Sequence, residues 1–120
     1  MDEKTNLAEM KKRVKDFCEE RDWDQFHDAK NLAIGVSTEA AELLEHFRFK
    51  SEEEIRQMFM DEKKREEIAF EMADTLFYLL RMAQRYNIDL SEAFEKKMKK
   101  NEQRYPVEKF KGSNKKYNEV

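Results

Sequence analysis

Apolar residues recur at three- and four-residue intervals along most of this chain, the signature of helices with one buried face. Leu7, Met10, Val14 and Phe17 form the first stripe, and Asn6 followed by Glu9 resembles a capping box, so a helix is predicted over about 6–21. The segment 22–30 breaks the period and gathers Trp23, Phe26 and His27, the pattern of an ordered loop. A second helix is predicted over about 31–47, and Ser51 with Glu54 opens a short helical piece through Ile55, Met58 and Phe59. The longest periodic stretch, about 64–86, predicts the third main helix. Asp89 or Ser91 caps a fourth, with Ala93, Phe94 and Met98 inward, ending near Asn101 ahead of Pro106. The tail 106–120 reads as irregular.

Composition narrows the fold class. With 2 Gly and 1 Pro, the chain lacks the turns that a sandwich or barrel needs every 8–12 residues or so. The expectation is therefore all-α: one domain over 1–120, a four-helix bundle with its helical core at about 6–101. Charge is high, 42%, but 24 Lys and Arg nearly balance 27 Asp and Glu, so opposite charges can pair along helices instead of unfolding the chain. The lone Cys18 excludes a disulfide framework and a cysteine zinc site and fits a reducing compartment. No stretch is long and apolar enough to span a membrane, and the first residues lack the apolar run of a signal peptide, so a cytoplasmic protein is expected. A net charge of −3, with a modest basic run only over 96–116, argues against duplex nucleic acid as a partner.

Against this polar background two segments stand out. Residues 32–44 (LAIGVSTEAAELL) hold two charges, Glu39 and Glu42, and residues 68–83 (IAFEMADTLFYLLRMA) hold Glu71, Asp74 and Arg81. Each acidic pair is spaced i, i+3 and so projects from one helix face, while apolar residues fill most of the rest. Four uncompensated carboxylates against apolar surroundings would each cost several kcal/mol, out of a net stability of only about 5–15 kcal/mol. Basic side chains or a bound cation must offset them. Oxygen ligands of this kind suit Mg²⁺, with Mn²⁺ as a substitute. The 28 residues between the pairs allow a short helix and an antiparallel return that brings them face to face. A di-iron bundle would need Glu-x-x-His, but Asp24 precedes His27 and Leu43 precedes His46 at that spacing.

E-x-x-E, this spacer and E-x-x-D within a helical chain resemble the MazG-like all-alpha nucleoside triphosphate pyrophosphohydrolases. The similarity extends to RDWDQFH at 21–27, EAAELLEHFRF at 39–49, EMADTLFYL at 71–79, KKMKKNEQRYPV at 96–107 and GSNKKY at 112–117, in the order of the dCTP pyrophosphatase branch. The resemblance implies an enzyme that cleaves a dNTP, with dCTP or a modified dCTP favoured, to the monophosphate and pyrophosphate in nucleotide-pool housecleaning. It implies Glu39, Glu42, Glu71 and Asp74 as metal ligands, the last three also as catalytic residues. It further implies His27, Phe49, Tyr78 and Asn101 as nucleotide contacts, and Lys97, Arg104 and Tyr105 on the phosphate side. Phe49 departs from the Trp typical of the branch, which offers less ring for stacking.

The chemistry is consistent with these residue types. A divalent cation on triphosphate oxygens neutralises developing charge, a held water attacks, and Glu42 is one candidate base among several. Phe49 and Tyr78 can flank a base while Asn101 reads its edge. Taken alone, Phe49 and Tyr78 serve equally as core aromatics, His27 as a loop anchor, and Lys97, Lys100 and Arg104 as a solvated face. The third main helix is apolar around most of its circumference, more than four helices of one chain can cover, so a homodimer or homotetramer is expected. A non-catalytic helical regulator or adaptor that binds a nucleotide or metal is the alternative function.

Overall fold

The computed structural model describes residues 1–119. They are helical throughout, without a strand among the described residues: α1 (Leu7–Glu20), α2 (Ala29–Glu45), α3 (Glu52–Met60), α4 (Glu62–Arg85), α5 (Leu90–Arg104) and the single turn α6 (Val107–Phe110). Two 3₁₀ turns, Asp24–Phe26 and Tyr117–Glu119, complete the set.

Local polar side chains start each of the five longer helices by satisfying amide groups that the first turn leaves free. The Asn6 side chain accepts from the Glu9 amide at 2.9 Å, Asp28 from Asn31 at 2.8 Å, Asp61 from Lys63 at 3.3 Å and Asp89 from Glu92 at 2.9 Å. Ser51 and Glu54 form a reciprocal capping box on α3. Asp89 rather than Ser91 is thus the cap of α5. Because Asp28 caps α2, that helix starts two residues earlier than its apolar period suggests, and α4, capped by Asp61, likewise starts two residues early. Helix ends follow the same local chemistry. Asp22 and Asn87, just past α1 and α4, take left-handed backbone at φ 55° and 53°, which short polar side chains tolerate.

The chain divides into two compact units, Met1–Asn87 and Ile88 onward. In the first, α4 is the axis on which α1, α2 and α3 all pack. Its core is small: Val14, Cys18, Leu32, Ile68, Leu80 and Ala83, together with the wholly buried Arg81. The Tyr86 hydroxyl at the end of α4 accepts from the Ala29 amide at 2.7 Å, pinning the start of α2. In the second unit Pro106 ends α5, and the segment read as irregular folds into α6 and the last 3₁₀ turn. There Tyr105 packs edge-on against Phe110 and Tyr117, at 4.8 and 6.1 Å between ring centres. No helix is long and apolar enough to cross a membrane among the described residues.

Candidate active site

Since α2 and α4 pack together, their acidic stripes meet. One carboxylate oxygen from each of Glu39, Glu42 and Glu71 lies within 4.8 Å of the others. Asp74 falls outside this tight group but is close enough for its charge to raise the carboxyls of Glu39 and Glu71. The group is not enclosed in an interior: Glu42 and Asp74 are exposed and Glu39 and Glu71 half-buried, because α2 and α4 are covered on one side only. Even so, Glu39 Oε2 and Glu71 Oε2 are shut off from solvent without a hydrogen-bond partner. Burial first, then the adjoining Glu42, Asp74 and Glu71, pushes the Glu39 carboxyl up to about 7. Burial, Glu42 and Asp74 also raise Glu71, against a lowering pull from His46, whose Nε2 is 3.9 Å from Glu71 Oε1. No Lys or Arg pairs with these four acids among the described residues. Converging carboxylates with two orphaned oxygens fit a hard divalent cation, whose charge would reverse both penalties.

Beside the carboxylates an open groove of about 470 Å³ is lined by Phe26, His27, Asn31, Ile34, Gly35, Thr38, Glu39 and Tyr78. Gly35 shapes it. A Cβ at this position would lie 2.5 Å from Tyr78 Cδ1, so only the bare backbone admits the ring against α2. Burial, then Glu39 and Asp74, pushes the Tyr78 phenol up, which keeps it protonated and able to donate. At the other end of the groove His27 Nδ1 accepts from Arg81 Nε at 2.9 Å. Burial, then Arg81 and Arg85, lowers the affinity of this imidazole for a second proton.

The profile of the MazG-like family matches residues 34–120, the span that carries all four acids. The chain belongs to the MazG-like family. It is 38% identical over 114 residues to dCTP pyrophosphatase 1 of Mus musculus and 34% identical to that of Homo sapiens, in each case over 95% of this chain and 67% of the relative. The crystal structure of a pyrophosphatase from Archaeoglobus fulgidus superposes with a TM-score of 0.77 at 38% identity, over 83% of this chain and 92% of that one.

In this MazG-like chain the remaining expected site residues fall in two places. Phe49 follows α2 at a left-handed φ of 63°, is 89% exposed, and carries the Arg48 guanidinium 4.7 Å from its ring centre. It is not core packing within the chain. Lys97, Asn101, Arg104 and Tyr105 belong to the second unit. Lys97 is exposed and Asn101 half-buried one turn further on, while the Arg104 guanidinium sits 4.7 Å from the Tyr117 ring centre. The apolar period gave no warning of Gly35, His46 or the Arg81 network. Arg81 did leave a signal, as the one cation in a sixteen-residue apolar run.

Proposed function

We propose that this protein, a nucleoside triphosphate pyrophosphohydrolase of the MazG-like family, acts on dCTP or a modified dCTP with Mg²⁺ and releases the nucleoside monophosphate and pyrophosphate. The observation that carries the reading is the convergence of Glu39, Glu42 and Glu71 within 4.8 Å, two of them with orphaned buried oxygens, beside the Gly35–Tyr78 groove. Identity to dCTP pyrophosphatase 1 over nearly the whole chain supports the choice of base.

In this reading Glu39, Glu42, Glu71 and Asp74 hold the cation, with Mn²⁺ able to substitute. When bound, Mg²⁺ neutralises phosphate charge and acidifies water. The carboxylates orient the attacking water, and one of them, Glu42 being a candidate, takes its proton. Exposed Phe49 and groove-lining Tyr78 stack on the base, and His27 and Asn101 hydrogen-bond to the nucleoside. Lys97, Arg104 and Tyr105 meet the phosphates. The active form is a homodimer or homotetramer in which further helices complete the bundle, and the free, buried Cys18 suits a cytoplasmic setting.

The test is release of pyrophosphate from a panel of dNTPs and 5-modified dCTPs with Mg²⁺, with Mn²⁺ and with chelator. The expected result is cation-dependent turnover led by a cytosine nucleotide. Turnover led by another base overturns the substrate assignment, and turnover undiminished by chelator overturns the metal.

A further inference from the structure

Arg81 has no exposed surface, and each of its three nitrogens donates to an acceptor. Nε donates to His27 Nδ1 at 2.9 Å, one terminal nitrogen to Gln84 Oε1 at 2.7 Å, and the other to Asp24 Oδ1. Asp24 is gripped again by Arg85, 3.6 Å from Oδ2, and this pair holds the 3₁₀ turn that delivers His27. Burying a guanidinium for mere stability is a poor solution, since apolar residues of like volume serve as well or better. What a guanidinium does that they do not is donate without ever accepting. A ring nitrogen facing it must carry a lone pair, so the single proton of the neutral imidazole resides on Nε2.

We propose that Arg81, anchored by Asp24, is a positioning residue that fixes His27 as the neutral, Nε2-protonated tautomer, so that this histidine meets the nucleoside as a hydrogen-bond donor only. This rests on the reading that the groove holds a nucleotide, and it adds the polarity of the contact. The partner on the nucleoside is an acceptor, a carbonyl oxygen, an unprotonated ring nitrogen or a sugar oxygen. A second proton on His27 would break the Nδ1 bond and set a cation against Arg81 and Arg85, with Asp24 as the opposing charge. Glu39 and Tyr78, which line the same groove, are the other titratable groups at hand.

The chain has two histidines, so imidazole ¹⁵N–¹H spectra resolve His27 directly. In the wild-type protein without ligand, the expected result is one proton, on Nε2, with no second proton at the pH of about 6.5 where a free imidazole is half-protonated. A proton on Nδ1, or titration near the free value, overturns the proposal whether or not any nucleotide is hydrolysed. Absence of turnover with the expected tautomer would instead fault the reading of the groove. Arg81→Lys keeps the charge without the planar fork, and Asp24→Asn loosens its anchor. Each is expected to free His27 to turn, to exchange tautomers and to titrate, raising KM about tenfold above the free imidazole value, where a lone pair can replace the Nε2 donor, with kcat within about twofold. A variant that folds and leaves both the spectrum and KM unmoved overturns the proposal. Should neither fold, the wild-type spectrum decides.

Discussion

Glu39 holds its proton up to about pH 7, because burial and three neighbouring acids disfavour the anion, whereas in an unfolded chain it ionises near its ordinary 4.5. Between those values the folded state binds more protons than the unfolded one, so cation-free protein loses stability as pH rises from about 4.5 to about 7. Glu71, raised for similar reasons, adds to the slope. Melting temperatures in chelator should fall across that window, and Glu39→Gln or excess Mg²⁺ should flatten the fall; a level profile in chelated wild type contradicts the geometry. Asp74→Asn and Glu42→Gln should cut kcat by about a hundredfold or more, a loss typical of removing charge aimed at the reacting group, while leaving the metal-free fold as heat-stable as before or more so. Phe49 poses the opposite trade. Left-handed backbone costs a side chain about 1–2 kcal/mol, so Phe49→Gly should stabilise by up to about 1 kcal/mol after glycine's own entropy is counted. The same change removes a stacking ring worth about 1–3 kcal/mol, and KM should rise about ten- to a hundredfold while kcat changes less. Unchanged KM would remove Phe49 from the base pocket.

At the scale of elements, α2 carries the site by what it lacks as much as by its acids. Alanine normally stabilises a helix interior over glycine by about 1 kcal/mol. At Gly35 that gain should be lost, because the new Cβ would overlap the Tyr78 ring at 2.5 Å. Gly35→Ala is expected to lower the melting temperature and raise KM together; a rise in melting temperature would mean the ring moves freely and does not shape the groove. This position also shows where sequence reading stops. The i, i+3 acids on two apolar helices were legible, since spacing along one helix fixes which side chains share its face. So were the capping signals at Asn6, Ser51 and Asp89. A contact between Gly35 and Tyr78, or between Arg81, Asp24 and His27, joins residues 43 to 57 positions apart, and no local period encodes it. The openness of the carboxylate group is not legible for a related reason: apolar neighbours in sequence imply burial only if something covers them.

For the whole molecule the unsettled surface is apolar. Phe70, Met72 and Leu79 on α4 are 60%, 57% and 43% exposed, and Ile34 and Leu44 on α2 are 52% and 62% exposed. Between α1 and α4 lies an open groove of about 450 Å³, lined by Arg13 and otherwise by apolar side chains, Phe17, Leu76, Phe77 and Leu80 among them. Monomeric proteins seldom leave this many large apolar side chains of two packed helices to water, and a core of six apolar side chains among the described residues is thin for a free-standing domain. Both facts are resolved if a second copy covers α4, which makes folding and assembly one process. Subunits should then sediment as a dimer or tetramer at micromolar concentration, and the unfolding midpoint should climb with protein concentration, since mass action favours the bound state. Phe70→Glu would bury an unpaired carboxylate in that interface at a cost of several kcal/mol, and the chain should lose its helical signal rather than yield a stable monomer. A folded wild-type monomer at micromolar concentration, with a midpoint independent of dilution, would show instead that the exposed face of α4 is tolerated in solution, and a complete carboxylate site would then have to be built from one chain alone.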